Sequence, residues 1–542
     1  MNLNILKNTK LLIVSILIIA AILRLSNLDQ NPPAAYGDEI SFAWNAWNIL
    51  KTGTDEYGTP YPLHFRAFDD YKAPLPVYLL VPVIKFLGLN IWSVRLLVVF
   101  FSVLTILFVY LLGKQLVGVK LGLASALLLT ISPWHIHLSR GFFESTIALF
   151  WFVAGIYLLS KNTKNKIWLL FSAISFCACL YTYFTPRIIL PLFLPFLLFL
   201  LNKYRQLSKK EIFIFLIVLF VFSLPLVKLT LFDKSSARLG KIIYLRNQEI
   251  ERDVVAHRST NSVPYLVKIF FNNKISYWSR ELTNSYLEHF SLNFLYLFGD
   301  SSLRYGLGNM GMFYLIEAPF LVLGLATTFK KNKVFFWLLA GWLLISPIPS
   351  AISGKPFAVR SLMMVPAIFY FVSSGIIKFW DILKRIIFGN FLKVVLVAGV
   401  MISIALYLTR YNYEYPVSGA SWWGWENKAA IEYALRNKDA YDRIFLSNFY
   451  SGIDLALAFY TKQDPLTYRY AKEHLIQMAD NRSFIKLDKF YIGSLDIDKK
   501  RFEEKIIPPR SLYIGRPEEV DGQEVITDPF DGRILFKIYK TE

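Results

Sequence analysis

The chain has 542 residues, of which 55% are hydrophobic and only 18% are charged, and its formal net charge is +20. Soluble globular proteins carry about 25% charged residues, so this composition excludes a soluble enzyme, a disordered chain and a fibrous protein. Together with a mean hydropathy of +0.42, it indicates a polytopic membrane protein with a polar appendage.

Eleven apolar runs along the chain are predicted to span a membrane as helices. They cover residues 11–28, 93–112, 119–133, 144–160, 167–184, 187–202, 211–231, 311–329, 334–347, 360–379 and 391–409. The apolar segment 74–88 is short and carries three prolines, so we predict a juxtamembrane or re-entrant piece there and not a further span.

The positive charges are concentrated in the short loops on one side of the predicted spans. This set includes Lys114, Lys120, Lys330, Lys331, Lys333, Lys378, Lys384 and Arg385. Such loops face the cytoplasm, so the N-terminus is predicted to be cytoplasmic. Because most of the positive charge then sets the topology, no nucleic-acid partner is expected.

This orientation divides the chain into a membrane domain, residues 1–410, and a polar tail, residues 411–542. Segments 29–92 and 232–310 become large external loops, and the tail is external too. Strand-like runs in the tail alternate with helical patterns, and about 130 residues suffice for a small soluble α/β domain. The predicted strands are 443–447, 489–494, 511–515 and 533–539, and the predicted helices are 425–436 and 453–461.

The first external loop carries an acidic pair, Asp38 and Glu39, shortly after a proline-containing turn. The residues that follow have the spacing of an amphipathic helix lying on the membrane surface. Both carboxylates would then lie at a helix N-terminus, where the helix dipole favours negative charge. This pair is either a reactive acidic site or a simple acidic cap of the helix.

Basic and acidic residues follow on the same external side. Lys72, beside prolines, is either a snorkelling anchor or a cation for a phosphate. Arg140 and Glu144 have i, i+4 spacing, which would place them on one helix face at the outer end of a span, as a functional pair or as a mutual salt bridge. With Arg360, these residues form a constellation that suits an anionic lipid headgroup and general-base chemistry.

The order of these motifs resembles the GT-C membrane glycosyltransferases, and most closely family 39, the group of protein O-mannosyltransferases and aminoarabinose lipid A transferases. The resemblance covers about residues 10–410 and is densest in 30–190. It rests on Asp38 and Glu39, then Lys72, Pro74, Leu75 and Tyr78, then Arg95, and then Ser132, Pro133, Ser139, Arg140 and Glu144.

The resemblance implies an all-α polytopic GT-C fold with about eleven membrane helices and a small external α/β C-terminal domain. It also implies a polyprenyl-phosphate sugar donor in the outer leaflet of the cell membrane and an inverting displacement assisted by a carboxylate base. Asp38 would be the base with Glu39 in support, and Lys72, Arg140 and Arg360 would bind the donor phosphate. Glu144 would orient Arg140 or bind a metal, and the resemblance leaves a divalent metal open.

Other features of the chain are left open by the resemblance. The family often has Lys-Pro-Pro where this chain has Lys72-Ala73-Pro74, and often has Asp at the position of Glu144. No motif identifies the sugar or the acceptor. Five external side chains are further candidates for substrate binding: Tyr78, His137, Tyr183, Arg187 and His289.

Two other interpretations compete with this one. An envelope enzyme of the O-antigen ligase or polymerase type would depend on external arginines and a histidine, so Asp38→Asn would be mild. A lipid or glycan transporter would carry ionisable residues through the middle of the membrane, whereas the predicted spans here are nearly free of charge. The Trp422–Trp425 run is either an aromatic platform for sugar or lipid or an interface anchor that is also part of the domain core.

Overall fold

The computed structural model describes residues 3–68, 70–161, 166–203, 207–232, 248–259, 264–495 and 506–542. Parts of the second large loop predicted at 232–310, namely 233–247 and 260–263, therefore lie outside the described residues.

Helices make up most of the described membrane domain. In its first half they are α1 (Leu3–Leu25), α2 (Gly37–Thr52), α3 (Pro74–Leu87), α4 (Ile91–Leu116), α5 (Val119–Ile131), α6 (Pro133–Ser139), α7 (Glu144–Leu159), α8 (Ile167–Thr182), α9 (Pro186–Lys203) and α10 (Lys209–Phe232). Its second half contains α11 (Gln248–Ser259), α12 (Tyr265–Phe271), α13 (Lys274–Glu288), α14 (Ala318–Lys331), α15 (Lys333–Ile345), α16 (Ile348–Ala351), α17 (Ala358–Ser361), α18 (Val365–Leu383) and α19 (Gly389–Thr409).

The protein is a multi-pass membrane protein, and each of the eleven predicted spans falls on one of these helices. Seven stretches of the described chain are long and apolar enough to cross a membrane, and the pair α5 and α6, bent by 60°, would be an eighth. The other predicted spans lie on shorter helices, such as α7 and α8 with 16 residues each. The segment predicted at 74–88 forms α3, a helix of 14 residues.

Glycine contacts bring the membrane helices close together. A Cβ atom on Gly324 of α14 would lie 1.8 Å from the carbonyl oxygen of Phe371 in α18. A Cβ atom on Gly375 of α18 would likewise lie 2.0 Å from the carbonyl oxygen of Phe320. Small residues at such crossings allow helix backbones to touch in membranes, so α14 and α18 are packed in a fixed register.

The first external loop folds into α2 and a short antiparallel hairpin of β1 (Phe65–Ala67) and β2 (Asp70–Lys72). The amphipathic pattern correctly predicts helix α2. The prediction that α2 lies exposed on the membrane surface is wrong. Ten of its sixteen residues are buried, and helices of the C-terminal domain pack on it.

The C-terminal domain is an α/β domain, as predicted. After α20 (Tyr415–Ser418), its helices are α21 (Trp425–Arg436), α22 (Ile453–Tyr460) and α23 (Pro465–Glu473). Its strands are β3 (Arg443–Ser447), β4 (Ile476–Gln477), β5 (Ser483–Leu487), β6 (Phe490–Gly493), β7 (Ser511–Gly515), β8 (Glu524–Thr527) and β9 (Ile534–Lys540). They form one sheet in the order β4-β5-β6-β3-β7-β9-β8, with β3 parallel to both β6 and β7.

One apolar core joins the first external loop to the C-terminal domain. Trp44 of α2 packs edge-on against Tyr468 of α23, with ring centroids 5.1 Å apart. The Trp47 indole N–H donates to the carbonyl of Gln463 over 3.1 Å, and Arg469 donates to the carbonyl of Asp55 over 2.8 Å. The domain is therefore fixed directly over the loop that carries Asp38.

Glu56 lies at this contact between the loop and the domain. The Asn45 amide donates to its carboxylate over 3.1 Å, and Lys472, Asp55 and Asp454 are its charged neighbours. Burial raises the pKa of Glu56 to about 7, although the Asn45 hydrogen bond and the Lys472 charge oppose the shift.

The raised pKa of Glu56 gives a pH prediction. Since the folded state holds this proton more tightly than the unfolded chain, Glu56 lowers the free energy of unfolding as pH rises from about 4.5 to about 7. We expect Glu56→Gln to melt progressively higher than the wild type between pH 5 and pH 8. The exposed Glu473→Gln is the control, and a melting difference that does not change with pH would contradict the prediction.

Candidate functional site

A buried ion pair fixes the start of the first external loop. Arg95 of α4 binds both carboxylate oxygens of Glu39, over 2.9 and 3.1 Å, and both side chains are at most 1% exposed. The same guanidinium donates to the carbonyls of Leu28, Pro32 and Ala34 over 2.6–2.9 Å. With the Phe142 N–H also donating to it over 3.2 Å, the carboxylate of Glu39 is fully engaged in holding the backbone.

Asp38 has different surroundings, although it is the next residue. It lies in the first turn of α2, and its carboxylate is 2.5 Å from the ammonium of Lys72 in β2. The Asp38 side chain is 38% exposed, whereas that of Lys72 is 8% exposed and its ammonium lies 5.6 Å from the Phe42 ring centroid. The acidic pair is thus divided into a structural member and an accessible one.

Two tyrosines interact electrostatically with Asp38 and with other charged groups. Tyr36 donates its hydroxyl to the carbonyl of Phe142 over 3.0 Å, and its ring packs edge-on against Trp423 at 5.3 Å. Burial raises the pKa of Tyr36 well above its ordinary value, and the charges of Asp38 and Glu144 add to this shift. The Tyr36 hydroxyl is therefore a neutral hydrogen-bond donor at neutral pH.

Tyr305 also interacts electrostatically with Asp38. Burial raises its pKa, the charges of Arg304 and Arg360 oppose this, and the charge of Asp38 adds to it. The Arg304 guanidinium also lies 4.9 Å from the Tyr36 ring centroid. Asp38, Arg304 and Arg360 therefore lie around one tyrosine, which the sequence analysis did not select.

Arg360, Glu144 and Tyr183 complete this group of residues. Arg360 of α17 donates to the hydroxyl of Ser353, and its guanidinium lies 4.7 Å from the Phe357 ring centroid. Both Arg360 and Glu144 are close enough to Tyr183 to interact electrostatically with its hydroxyl. The structure therefore brings together Asp38, Lys72, Glu144, Arg360 and Tyr183 of the predicted site residues.

Arg140 occupies a different place from the one predicted. The helix breaks after Ser139 and restarts at Glu144, so the prediction that Arg140 and Glu144 share one helix face is wrong. The Phe142–Phe143 segment between them makes the turn that contacts Glu39. Residues four apart meet on one face only when the helix is continuous.

The Arg140 guanidinium instead binds the backbone at the end of α1. It is 1% exposed and donates to five carbonyl oxygens over 2.5–3.3 Å. These belong to Leu23, Arg24, Ser26, Asn27 and Asn31. Its terminal N–H groups are therefore engaged with the chain itself and not directed at Asp38.

This arrangement predicts that Arg140→Lys lowers the free energy of unfolding strongly and weakens binding of the donor only slightly. A lysine keeps the charge but not the planar fork, so we expect a loss of about 3 kcal/mol in the free energy of unfolding. Arg410→Lys is the control, since Arg410 makes an exposed bond of 3.0 Å to the carbonyl of Asn309. Weaker binding of labelled polyprenyl phosphate at unchanged stability would restore Arg140 as a phosphate ligand.

The remaining candidates for substrate binding are engaged with the protein in several places. Tyr78 donates its hydroxyl to the carbonyl of Pro62 over 2.8 Å. His137 is 2.9 Å from the carbonyl oxygen of Arg304 and packs within an aromatic cluster that includes Trp423. His289 ends α13 and is 2.7 Å from the carbonyl oxygen of Ser285. A role of these three side chains in substrate binding stays a prediction.

Arg187 lies at the edge of an apolar cavity. The cavity has a volume of about 440 Å³ and is lined by leucines of α9 and α10, including Leu190, Leu194 and Leu219. Arg187 donates to the carbonyl of Leu180 over 3.3 Å. The other residues that line the cavity are nearly all apolar.

The Trp422–Trp425 run is divided by burial. Trp423 is fully buried and donates its indole N–H to the Tyr415 hydroxyl over 2.6 Å. Trp422 is 40% exposed. Trp423 therefore belongs to the core beneath the site, as the interpretation of the run as an anchor and core predicts.

The described residues contain no group of three or more His, Cys, Asp or Glu side chains placed to hold a metal ion. The divalent metal that the resemblance leaves open therefore stays open.

A comparison with protein families identifies part of the chain. The model of the family described as dolichyl-phosphate-mannose-protein mannosyltransferase matches residues 71–227. This range begins one residue before Lys72 and includes Arg95, Arg140 and Glu144. A comparison with curated proteins finds no match.

Solved structures match nearly the whole chain in one case and parts of it in others. ArnT from Cupriavidus metallidurans in the apo state matches with a TM-score of 0.52 and 12% identity, covering 97% of each chain. The archaeal oligosaccharyltransferase AglB from Archaeoglobus fulgidus matches with a TM-score of 0.48 and 14% identity, over 83% of this chain and 63% of that one. The S. cerevisiae Pmt1-Pmt2 complex gives a TM-score of 0.32 and 18% identity, over 47% and 37%.

The ArnT match shows the fold, and the family match shows the class of reaction. The chain is a multi-pass membrane glycosyltransferase with an ArnT-like GT-C fold.

Proposed function

We propose that this glycosyltransferase moves a sugar from a polyprenyl-phosphate-linked donor to an acceptor hydroxyl at the outer face of the cell membrane, with inversion at the anomeric carbon. The observation that carries the proposal is the accessible Asp38 carboxylate, which lies 2.5 Å from the buried Lys72 ammonium. Arg360 and Asp38 also interact electrostatically with the same residue, Tyr305. The matched family is described by dolichyl-phosphate-mannose, a sugar of this donor class.

Asp38 is the proposed general base. A base must reach the acceptor hydroxyl, and Asp38 is 38% exposed whereas Glu39 is 1% exposed and paired with Arg95. In our proposal Asp38 accepts the hydroxyl proton while the acceptor oxygen bonds to the anomeric carbon. The bond from that carbon to the phosphate oxygen breaks, and the lipid phosphate leaves with the electron pair.

Lys72 and Arg360 are the proposed cations for the donor phosphate. Negative charge grows on the phosphate as the sugar leaves, and cations placed in advance lower the energy of that transition state. Lys72 binds Asp38 before the donor arrives, so its movement towards the phosphate would release the base. Glu144 would position the Tyr36 and Tyr183 hydroxyls, on which its charge acts.

The apolar cavity beside Arg187 is the proposed place for the isoprenoid chain of the donor. Its walls are almost entirely hydrocarbon, which suits a polyprenyl chain. Arg187 lies four residues after Tyr183 in the chain, and it would mark the end of the cavity towards the phosphate.

The proposed orientation has the N-terminus in the cytoplasm and the C-terminal domain outside the cell. It is supported by lysines at the membrane face opposite Asp38, where Lys114 ends α4 and Lys330 and Lys331 end α14. Loops of this kind remain in the cytoplasm.

The test is a transfer assay with purified full-length protein in lipid. Radiolabelled mannose, glucose and arabinose on polyprenyl phosphate are supplied with an envelope extract as the acceptor source, and label leaving the lipid is measured. Turnover of one donor, with the opposite anomeric configuration in the product, is expected. Retention of label on every donor, or a product of retained configuration, would contradict the proposal.

A further inference from the structure

A basic cavity lies at the membrane face opposite the site. Helix α4 begins beside the first loop, where Arg95 binds Glu39, and its 26 residues carry the chain about 39 Å away. At that far end, the turn into α5 and the ends of α14 and α18 enclose a cavity of about 360 Å³. We call this the basic cavity because Lys120, Lys331 and Lys378 line it.

The positive charge of the basic cavity is not balanced within the described part of the chain. Its one acidic lining residue, Asp381, lies 2.8 Å from Lys384 and also interacts electrostatically with Lys120 and Lys331. None of the three lining lysines forms an ion pair within 4.0 Å with a described carboxylate. The cavity therefore has an excess of positive charge that an anion would neutralise.

The backbone adds to this preference for an anion. Gly118 caps the N-terminus of α5, a helix of 13 residues, and lies in the cavity wall. A Cβ atom on Gly118 would meet no atom within 4 Å, so the space in front of this helix end is open. Free N–H groups and the helix dipole attract negative charge there.

The surrounding helices hold the cavity in shape. The Gly324 and Gly375 contacts fix α14 against α18, within about one to two turns of Lys331 and Lys378. The Ser125 hydroxyl of α5 donates to that of Ser373 in α18 over 2.9 Å. The lysines therefore extend from helices whose separation is set by backbone contacts.

From these observations we propose that the basic cavity binds the phosphate headgroup of an anionic membrane lipid. The apolar side chains of Leu121 and Ile377 line the same cavity and would contact the acyl chains, which a soluble anion lacks. Basic pockets between membrane helices on the cytoplasmic side bind such headgroups. This lipid is distinct from the donor, because the cavity lies at the opposite end of α4 from Asp38.

The test compares melting of the purified full-length protein in a neutral detergent with added phosphatidylglycerol, phosphatidylcholine or inorganic phosphate. Phosphatidylglycerol is expected to raise the melting temperature of the wild type more than phosphatidylcholine does. Each lysine near an anionic lipid contributes about five-fold in affinity. Lys120→Gln, Lys331→Gln and Lys378→Gln together should therefore lower the apparent affinity for phosphatidylglycerol by about 100-fold, measured as the lipid concentration needed for the same rise in melting temperature.

The control removes the same charge from the same face but outside the cavity, with Lys114→Gln, Lys209→Gln and Lys210→Gln, and should respond like the wild type. If the triple variant folds poorly, the double variant Lys120→Gln with Lys331→Gln, at two exposed positions, replaces it. Its apparent affinity for phosphatidylglycerol should fall by about 25-fold. Equal responses of both sets, no preference for phosphatidylglycerol in the wild type, or equal stabilisation by inorganic phosphate would overturn the proposal.

Discussion

Replacing Asp38 by asparagine should reduce sugar transfer by about 10²–10⁴-fold, because a positioned general base contributes that much to the rate. Asparagine is nearly the same size as aspartate but cannot accept the proton of the acceptor hydroxyl. The measurement is release of label from the polyprenyl-phosphate donor under single-turnover conditions, with binding of the lipid measured separately.

The substitution should leave the fold intact, so a loss of sugar transfer can be assigned to the missing base. The Asp38 side chain is 38% exposed, and partly exposed ion pairs contribute about 0–1 kcal/mol. The melting temperature should therefore stay close to that of the wild type. Donor affinity should not fall, because Lys72 no longer has to leave the Asp38 charge to bind the phosphate. The matched control is Asp29→Asn, an exposed carboxylate of the same loop, which should be fully active.

Turnover that survives Asp38→Asn would keep the class of reaction but refute Asp38 as the base. It would also favour the ligase-type chemistry in which arginines and a histidine carry the reaction.

Replacing the neighbouring Glu39 by alanine should have the second large effect, and on stability. It leaves the Arg95 guanidinium buried without its counter-charge, and breaking a buried ion pair in this way costs about 3–5 kcal/mol. We expect the melting temperature and the yield of folded protein to fall strongly, with activity lost in proportion to the folded fraction.

Two further variants separate structure from catalysis at Glu39. Glu39→Gln keeps hydrogen-bonding atoms near Arg95 and should be less damaging than alanine. Arg95→Met should be at least as damaging as Glu39→Ala, because it also removes the hydrogen bonds to the carbonyls of Leu28, Pro32 and Ala34. A Glu39→Ala protein that melts like the wild type but transfers no sugar would show instead that Glu39 is catalytic.

The contrast between these neighbours follows from the start of α2. Consecutive residues of a helix point about 100° apart, so Asp38 and Glu39 face different surroundings. Glu39 turns into the protein towards α4, where Arg95 binds it, and Asp38 faces the hairpin, where Lys72 binds it. The sequence alone presents them as an equivalent acidic pair.

Arg140 illustrates the limit of spacing arguments. The i, i+4 relation to Glu144 assumed a continuous helix, but the chain leaves α6 at Ser139 so that the Phe142 N–H can reach Glu39. Tyr305 is the opposite case. Its position in the sequence gives no sign of a role, and only folding brings it between Asp38, Arg304 and Arg360.

The amino-acid sequence by itself determined the membrane class, the multi-pass helical architecture, the α/β tail and the motif order that identified the GT-C type. These features depend on local hydropathy and periodicity, which a window of 10–20 residues contains. The tertiary structure decided which carboxylate is accessible, which arginine hydrogen-bonds to backbone carbonyls and which cations lie near Asp38. Those properties depend on contacts between residues far apart in the chain, such as the 56 positions between Glu39 and Arg95, where burial and hydrogen bonding divide chemically identical side chains between structural and reactive roles.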